Sequence, residues 1–203
     1  MRRTLVISLA ALTLTTAVVA GCGNSGGSSA ASGTTKNSSP AKPAPAESNP
    51  AGDIPDDQAY VAYTPAKGGF SVKVPEGWSQ TSSGNAVTFT DKLNRIEVSS
   101  VNAPTPPTAG SVTSTVVPTL KKQVPNFSSG RATAVTRPAG KGVLLTYKGD
   151  SAPDPVTGKV VHDAFERYSF HQGGKEVDLT LSGPVGADNV DPWKIVSESL
   201  RWQ

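Results

Sequence analysis

Residues 23–58, GNSGGSSAASGTTKNSSPAKPAPAESNPAGDIPDDQ, contain no aromatic residue, and Ile54 is their one large aliphatic side chain. Such a composition cannot bury enough apolar surface to offset the entropy of ordering the chain. Whatever folds must come from the flanks. The stretch from 22 to 58 therefore reads as a disordered tether, Gly/Ser-rich in its first half and stiffened by Pro and Ala in its second. A flexible chain of this length spans about 30–36 Å root-mean-square.

The upstream flank, MRRTLVISLAALTLTTAVVAGC, places Arg2 and Arg3 before an uncharged apolar run from Thr4 to Ala20. A basic start followed by an apolar core is the build of a secretory signal, here residues 1–21. The run lies at the lower limit for a spanning helix, and Gly and Ser follow it in place of a basic stop-transfer cluster. Val19, Ala20, Gly21 and Cys22 stand in the order of a lipobox: an aliphatic residue, two small ones that fit a peptidase cleft, and the thiol that accepts diacylglycerol. In this the segment resembles the signal of a bacterial lipoprotein. The resemblance implies acylation of Cys22, with the mature chain held on the extracytoplasmic face of the cell membrane. Two acyl chains bury many methylenes at about 0.8 kcal/mol each, enough for stable anchoring. Cys22 is also the only cysteine, so the chain can form neither an internal disulfide nor a zinc site from cysteines.

The downstream flank, 59–203, is long enough for one hydrophobic core. GFSVKVPEGW sets Phe70, Val72 and Val74 against Ser71 and Lys73, the alternation of a half-buried strand. NAVTFTD and NRIEVSSV repeat it with Val87, Phe89, Ile96 and Val98. In SVTSTVVPTLKKQVPNF, Val112, Val116, Leu120 and Val124 recur every four residues, which predicts a helix with Pro118 in or near its first turn. RATAVTRP, KGVLLTYKG, KVVHDAFERYSFHQ and KEVDLTLSG read as strands, the last two joined by a Gly173-Gly174 hairpin. Asp191 and Pro192 look like a cap and a first helical residue, with Trp193, Val196 and Leu200 on one face of the helix that follows. Strands, helix, strands, helix predicts an α+β fold, an antiparallel sheet with packed helices.

The opening GFSVKVPEGW and the closing DPWKIVSESLRW resemble the first strand and last helix of PsbP-like domains, especially those in small lipoproteins of high-GC Gram-positive bacteria. The family includes a photosystem accessory protein and a Ran-binding protein. The resemblance implies binding or assembly work rather than catalysis, and it carries no functional residue across.

The remaining residues offer little chemistry. Once Arg2 and Arg3 leave with the signal, 17 basic residues face 16 acidic ones, and Lys121-Lys122 is the only adjacent basic pair, so no nucleic-acid-binding face is expected. His162 and His171 lie an odd number of residues apart on one strand and face opposite ways. His162 and Glu166 share a face, which leaves a weak metal site conceivable against the simpler reading of a solvated polar strip. Asp150 and Asp154 lack the spacing of a calcium loop. No nucleophile elbow, phosphate loop or dinucleotide fingerprint occurs, and no cofactor is implied. Trp78, Trp193, Trp202, Tyr60 and Tyr63 suit a core edge better than a ligand groove. The expectation is a non-enzymatic, lipid-anchored binding or assembly module with a cell-envelope protein as partner. The alternative is a carrier of a small lipid or glycan, or an accessory protein of a membrane transporter.

Overall fold

The alternation in the downstream flank becomes a sheet with a core on each side. The computed structural model describes residues 51–66, 68–154 and 157–203. The signal, the lipobox and most of the tether, including Val19, Ala20, Gly21 and Cys22, lie outside the described residues. A seven-stranded sheet is antiparallel throughout, in the order β3-β4-β5-β9-β8-β7-β6. Its strands are β3 (Ser79–Ser83), β4 (Ala86–Asp91), β5 (Asn94–Asn102), β6 (Ser128–Arg137), β7 (Gly140–Asp150), β8 (His162–Gln172) and β9 (Lys175–Pro184). A smaller sheet orders β1 (Tyr60–Tyr63), β2 (Phe70–Pro75) and β10 (Arg201–Trp202) with β2 in the middle.

One face of the large sheet presents Phe89, Ile96, Val98, Tyr168, Phe170, Val177, Leu179 and Leu181. Phe70, Val72 and Val74 of β2 cover it together with Val196 and Leu200. The opposite face, at the β7 end, carries Val143, Leu145 and Tyr147 under Val112 and Val117 of a helical segment. That is the expected α+β layering. Gly173 and Gly174 form the hairpin between β8 and β9, both at positive φ (60° and 77°), which a two-residue primed turn requires.

The helical segment runs as α1 (Ala109–Ser111), a π-helical turn (Val112–Val116) and α2 (Val117–Gln123). It begins earlier than the valine spacing predicts, because Thr108 caps it reciprocally with Ser111. Pro118 is therefore well inside the segment rather than in its first turn. It is accommodated because the wide turn before it, in which the Val117 N–H donates to the Val112 carbonyl, resets the ladder so that Pro118 begins a new α-helical stretch.

The last helix, α3 (Val190–Ser197), also starts upstream of expectation. Asn189 holds the cap position, Asp191 lies inside the first turn, and the first intrahelical bond runs from the Trp193 N–H to the Asn189 carbonyl, 2.9 Å. Pro192 thus lacks an N–H that the helix would not have used. Leu200 lies beyond the helix yet is fully buried.

The folded body also takes in residues ahead of 59. Ile54 is buried, and its N–H donates to Asn189 Oδ1, 2.8 Å. Asn94 and Asn189 both donate to the Gly52 carbonyl, at 2.9 and 3.0 Å, and Asn189 Nδ2 also donates to Asn94 Oδ1 at 3.0 Å. A side chain at Gly183 would collide with this pair, its Cβ falling 2.4 Å from Asn94 Oδ1.

Candidate functional site

The pairing register sorts the outward side chains of β8 and β9. Arg167, Ser169 and His171 on β8 stand opposite Thr180, Asp178 and Glu176 on β9. They occupy the face that the helical segment covers only at its β6–β7 end. Here the face is polar. Arg167 Nη2 reaches Asp178 Oδ2 at 2.7 Å, and the Ser169 hydroxyl donates to Asp178 Oδ1. Asp178 is buried, so this pairing supplies the partners that a buried charge needs.

Glu176, two residues before Asp178 on the same face, is half-buried. Its carboxyl titrates above the usual range, first because burial disfavours the charged form and then because Asp178 lies beside it. His171 donates from Nε2 to the Ala103 carbonyl, 2.9 Å, which fastens the start of the loop 103–108 to β8. That loop, APTPPT, forms with the π-helical turn an open cleft of about 470 Å³ in which Glu176 is the only charged side chain. π-Helical turns recur at functional sites because they re-aim side chains. This cleft joins such a turn to a carboxyl perturbed by burial, and it is the candidate site.

A second open cleft of about 380 Å³ lies between β2 and the end of α3. Its central contact is structural: the Ser199 hydroxyl accepts the Lys73 N–H at 2.7 Å, satisfying a backbone donor on β2.

The residues singled out in the sequence go elsewhere. His162 is exposed and donates from Nδ1 to Asp150 Oδ1, 2.8 Å, while Asn126 donates to the other oxygen at 2.6 Å. These bonds, that from His162 foremost, hold the Asp150 carboxyl below the usual range. Glu166 accepts the Tyr168 hydroxyl at 2.7 Å. His162 and Glu166 are thus committed to different partners, and among the described residues no three His, Cys, Asp or Glu side chains are grouped to hold a metal ion. Asp154 Oδ1 accepts from the N–H and hydroxyl of Thr157, closing its own loop. Trp78, Trp193, Trp202, Tyr60 and Tyr63 all pack half-buried against the larger core. Trp202 Nε1 donates to the Ala139 carbonyl at 2.9 Å, and Tyr63 meets Phe89 edge-on with centroids 5.1 Å apart.

Sequence reasoning missed Glu176 and the loop. KEVDLTLSG shows Glu176 and Asp178 on one side of a strand, but nothing in it shows that one becomes buried in a pairing and the other floors a cleft. Among the described residues no helix is long and apolar enough to cross a membrane.

No family model matches the chain, and no curated protein matches it. Among solved structures, the solution structure of cyanobacterial PsbP (CyanoP) from Synechocystis sp. PCC 6803 superposes with a TM-score of 0.51 at 19% identity, over 72% of this chain and 94% of that one. A Pseudomonas aeruginosa protein of unknown function gives 0.45 at 13% identity, over 71% and 97%. A Bacteroides thetaiotaomicron protein gives 0.40 at 14%, over 66% of this chain and 45% of that one. The likeness to CyanoP shows that the α+β body has a PsbP-like fold.

Proposed function

We propose that the chain is a lipid-anchored binding or assembly module, held through Cys22 on the extracytoplasmic face of the cell membrane, that engages a cell-envelope protein and catalyses no reaction. The observation that carries this reading is the disposition of surface and core. Most large apolar side chains among the described residues pack into two cores, one on each side of the sheet, and the two clefts described above are open and bear polar groups. A carrier of a lipid or a small glycan needs a cavity that encloses most of its ligand. A module that docks a partner needs only an accessible, shaped face. The titratable groups support the non-catalytic reading as well: His162, Glu166 and His171 each commit one polar atom, and Asp178 both of its oxygens, to a named structural partner. The anchor rests on the lipobox at 19–22, and the partner class follows from the anchor.

Two measurements test the proposal together. Mass spectrometry of the mature chain is expected to find a diacylglyceryl Cys22 at the N-terminus, with Cys22→Ser unacylated and shed from membranes or left with its signal uncleaved. Photo-crosslinking residues placed at Thr115, beside the cleft, and at Gln80, on the exposed strand β3, are expected to give one discrete envelope-protein adduct on intact cells. A small molecule retained in stoichiometric amount by the purified protein, with no adduct at either position, would replace the module by the carrier.

A further inference from the structure

The cleft beside the π-helical turn has an unusual hydrogen-bonding inventory. Pro104, Pro106 and Pro107 give its loop three carbonyls and no N–H groups. The Ala103 N–H is already bonded to the Gly174 carbonyl, 2.9 Å, and the Thr108 N–H to Ser111 Oγ, 2.9 Å. The hydroxyls of the helical wall have spent their hydrogens too: Ser111 Oγ donates to the Thr108 carbonyl at 3.0 Å and Thr115 Oγ1 to the Ser111 carbonyl at 2.7 Å. Among the loop's residues Thr105 alone keeps hydrogens to offer. Thr105 aside, the polar groups of the lining are acceptors, with the half-buried Glu176 carboxyl, beside Asp178, as its single charged side chain and Val112 and Val116 as its apolar residues.

A cleft that accepts and hardly donates cannot satisfy an anion or a carbonyl-rich ligand, whose acceptors would be desolvated without partners. It suits a group that only donates. From this geometry we infer that the cleft binds an alkylammonium cation, the charged head on Glu176 and the aliphatic stem along Val112 and Val116. An ammonium has three donors and no acceptor, and the stem of a lysine-like chain buries well against apolar surface. The two basic side chains that act on Glu176 are committed elsewhere: Arg167 pairs with Asp178 at 2.7 Å, and His171, opposite Glu176 on β8, donates to the Ala103 carbonyl. Two sources present this same chemistry, a free diamine and a lysine side chain of a docked protein. The inference rests on the binding-module reading and gives that module its ligand class.

The test is calorimetric titration of the full-length chain in neutral detergent with putrescine, with an acetylated and amidated Gly-Lys-Gly peptide, and with butanediol as the uncharged isostere. Putrescine, the peptide or both are expected to bind, and butanediol at least about tenfold more weakly, since a hydrogen bond to a charged group contributes about 1.5–3 kcal/mol. Glu176→Gln, which keeps the shape and removes a charge that burial already disfavours, is expected to weaken binding by about tenfold or more. Thr115→Lys, which places a tethered ammonium in the cleft, is expected to abolish it and guards against a fold effect of the first variant. Peptide binding without putrescine binding assigns the cation to a partner's lysine; the reverse assigns it to a free amine. Equal affinity for butanediol, or full affinity in both variants, overturns the inference. Envelope-protein adducts from Gln80 that persist under that outcome keep the module reading and remove only the cation.

Discussion

Asp163 is the residue whose ionisation is least at ease in this fold. It is 4% exposed, and its Oδ1 has no hydrogen-bond partner. Burial pushes its carboxyl up from 3.8 to about 6. The folded chain therefore holds this proton more tightly than the unfolded chain does. The stabilisation from that proton is complete below 3.8 and is lost as the pH rises through 6. Asp163→Asn removes the charge that the folded state tolerates poorly. It is expected to stabilise the protein by about 1–3 kcal/mol at pH 7 and to change little at pH 4. Urea melts of both forms at the two pH values measure this, and a gain of equal size at pH 4 would mean the effect is not electrostatic. In the sequence Asp163 is one polar residue among several in HDAFERYSF, and alternation alone assigns it to an outward face. Its cross-strand neighbour Gly149 lies against Val124 and the Pro125 carbonyl, chain that is remote from Asp163 in sequence. Long-range packing of this kind leaves no local signal. The same reason hid Glu176, whose surroundings come from a loop some seventy residues earlier.

Elements with a hydrophobic rhythm were legible, and those without one were not. β2, β4 and β5 follow from alternation, β6, β7, β8 and β9 read as strands too, and the β8–β9 turn follows from its two glycines. β3 has the sequence SQTSS and is exposed at every position, so no periodicity announces it; it exists because Gly84, at φ 59°, turns the chain back so that Ser79–Ser83 can pair with β4. The helical segment was legible in its valines but not in its start, because Thr-x-x-Ser is a weaker cap signature than one ending in Glu or Gln. Nor was the π-helical turn legible. The hydroxyls of Thr113 and Thr119 donate back to the Ala109 and Thr115 carbonyls, a back-bonding that bends helices and leaves no signal in the valine spacing. Trp78 follows β2 at the corner before β3, and its ring packs half-buried against the main core. Trp78→Ala is expected to cost about 2–3 kcal/mol, below the 3–5 kcal/mol of a fully buried aromatic, and to leave amine binding unchanged. Denaturant melts check the first half. A loss under about 1 kcal/mol would make the ring a surface feature rather than a cover for the core.

At the scale of the molecule, the folded body begins before the composition changes. AGDIPDDQ, like the tether it continues, is polar, lacks aromatic residues and carries Pro and Gly, and composition cannot tell a docked segment from a free one. What distinguishes it is remote. The buried Asn94 and Asn189 lie ninety-five positions apart and spend their amides on the Gly52 carbonyl, while Asn189 Oδ1 takes the Ile54 N–H. Asp53 Oδ1 adds a bond from the Asp188 N–H at 2.9 Å. Without the segment the Asn94 amide loses its acceptor and Asn189 Oδ1 its donor, and only the bond between the two asparagines remains. Full burial of an isoleucine contributes about 1.5–3 kcal/mol, and a stranded buried amide costs about 1–3 kcal/mol, offset in part by the entropy of fixing a few residues. A chain beginning at Asp57 is therefore expected to fold but to be about 2–4 kcal/mol less stable than one beginning at Ala46, with the loss concentrated in hydrogen-exchange protection around Asn94 and the start of α3. Urea melts of the two chains give the difference, and amide exchange places it. Equal stability would mean that residues 51–56 rest on the domain without contributing to it, and that the two asparagines satisfy each other.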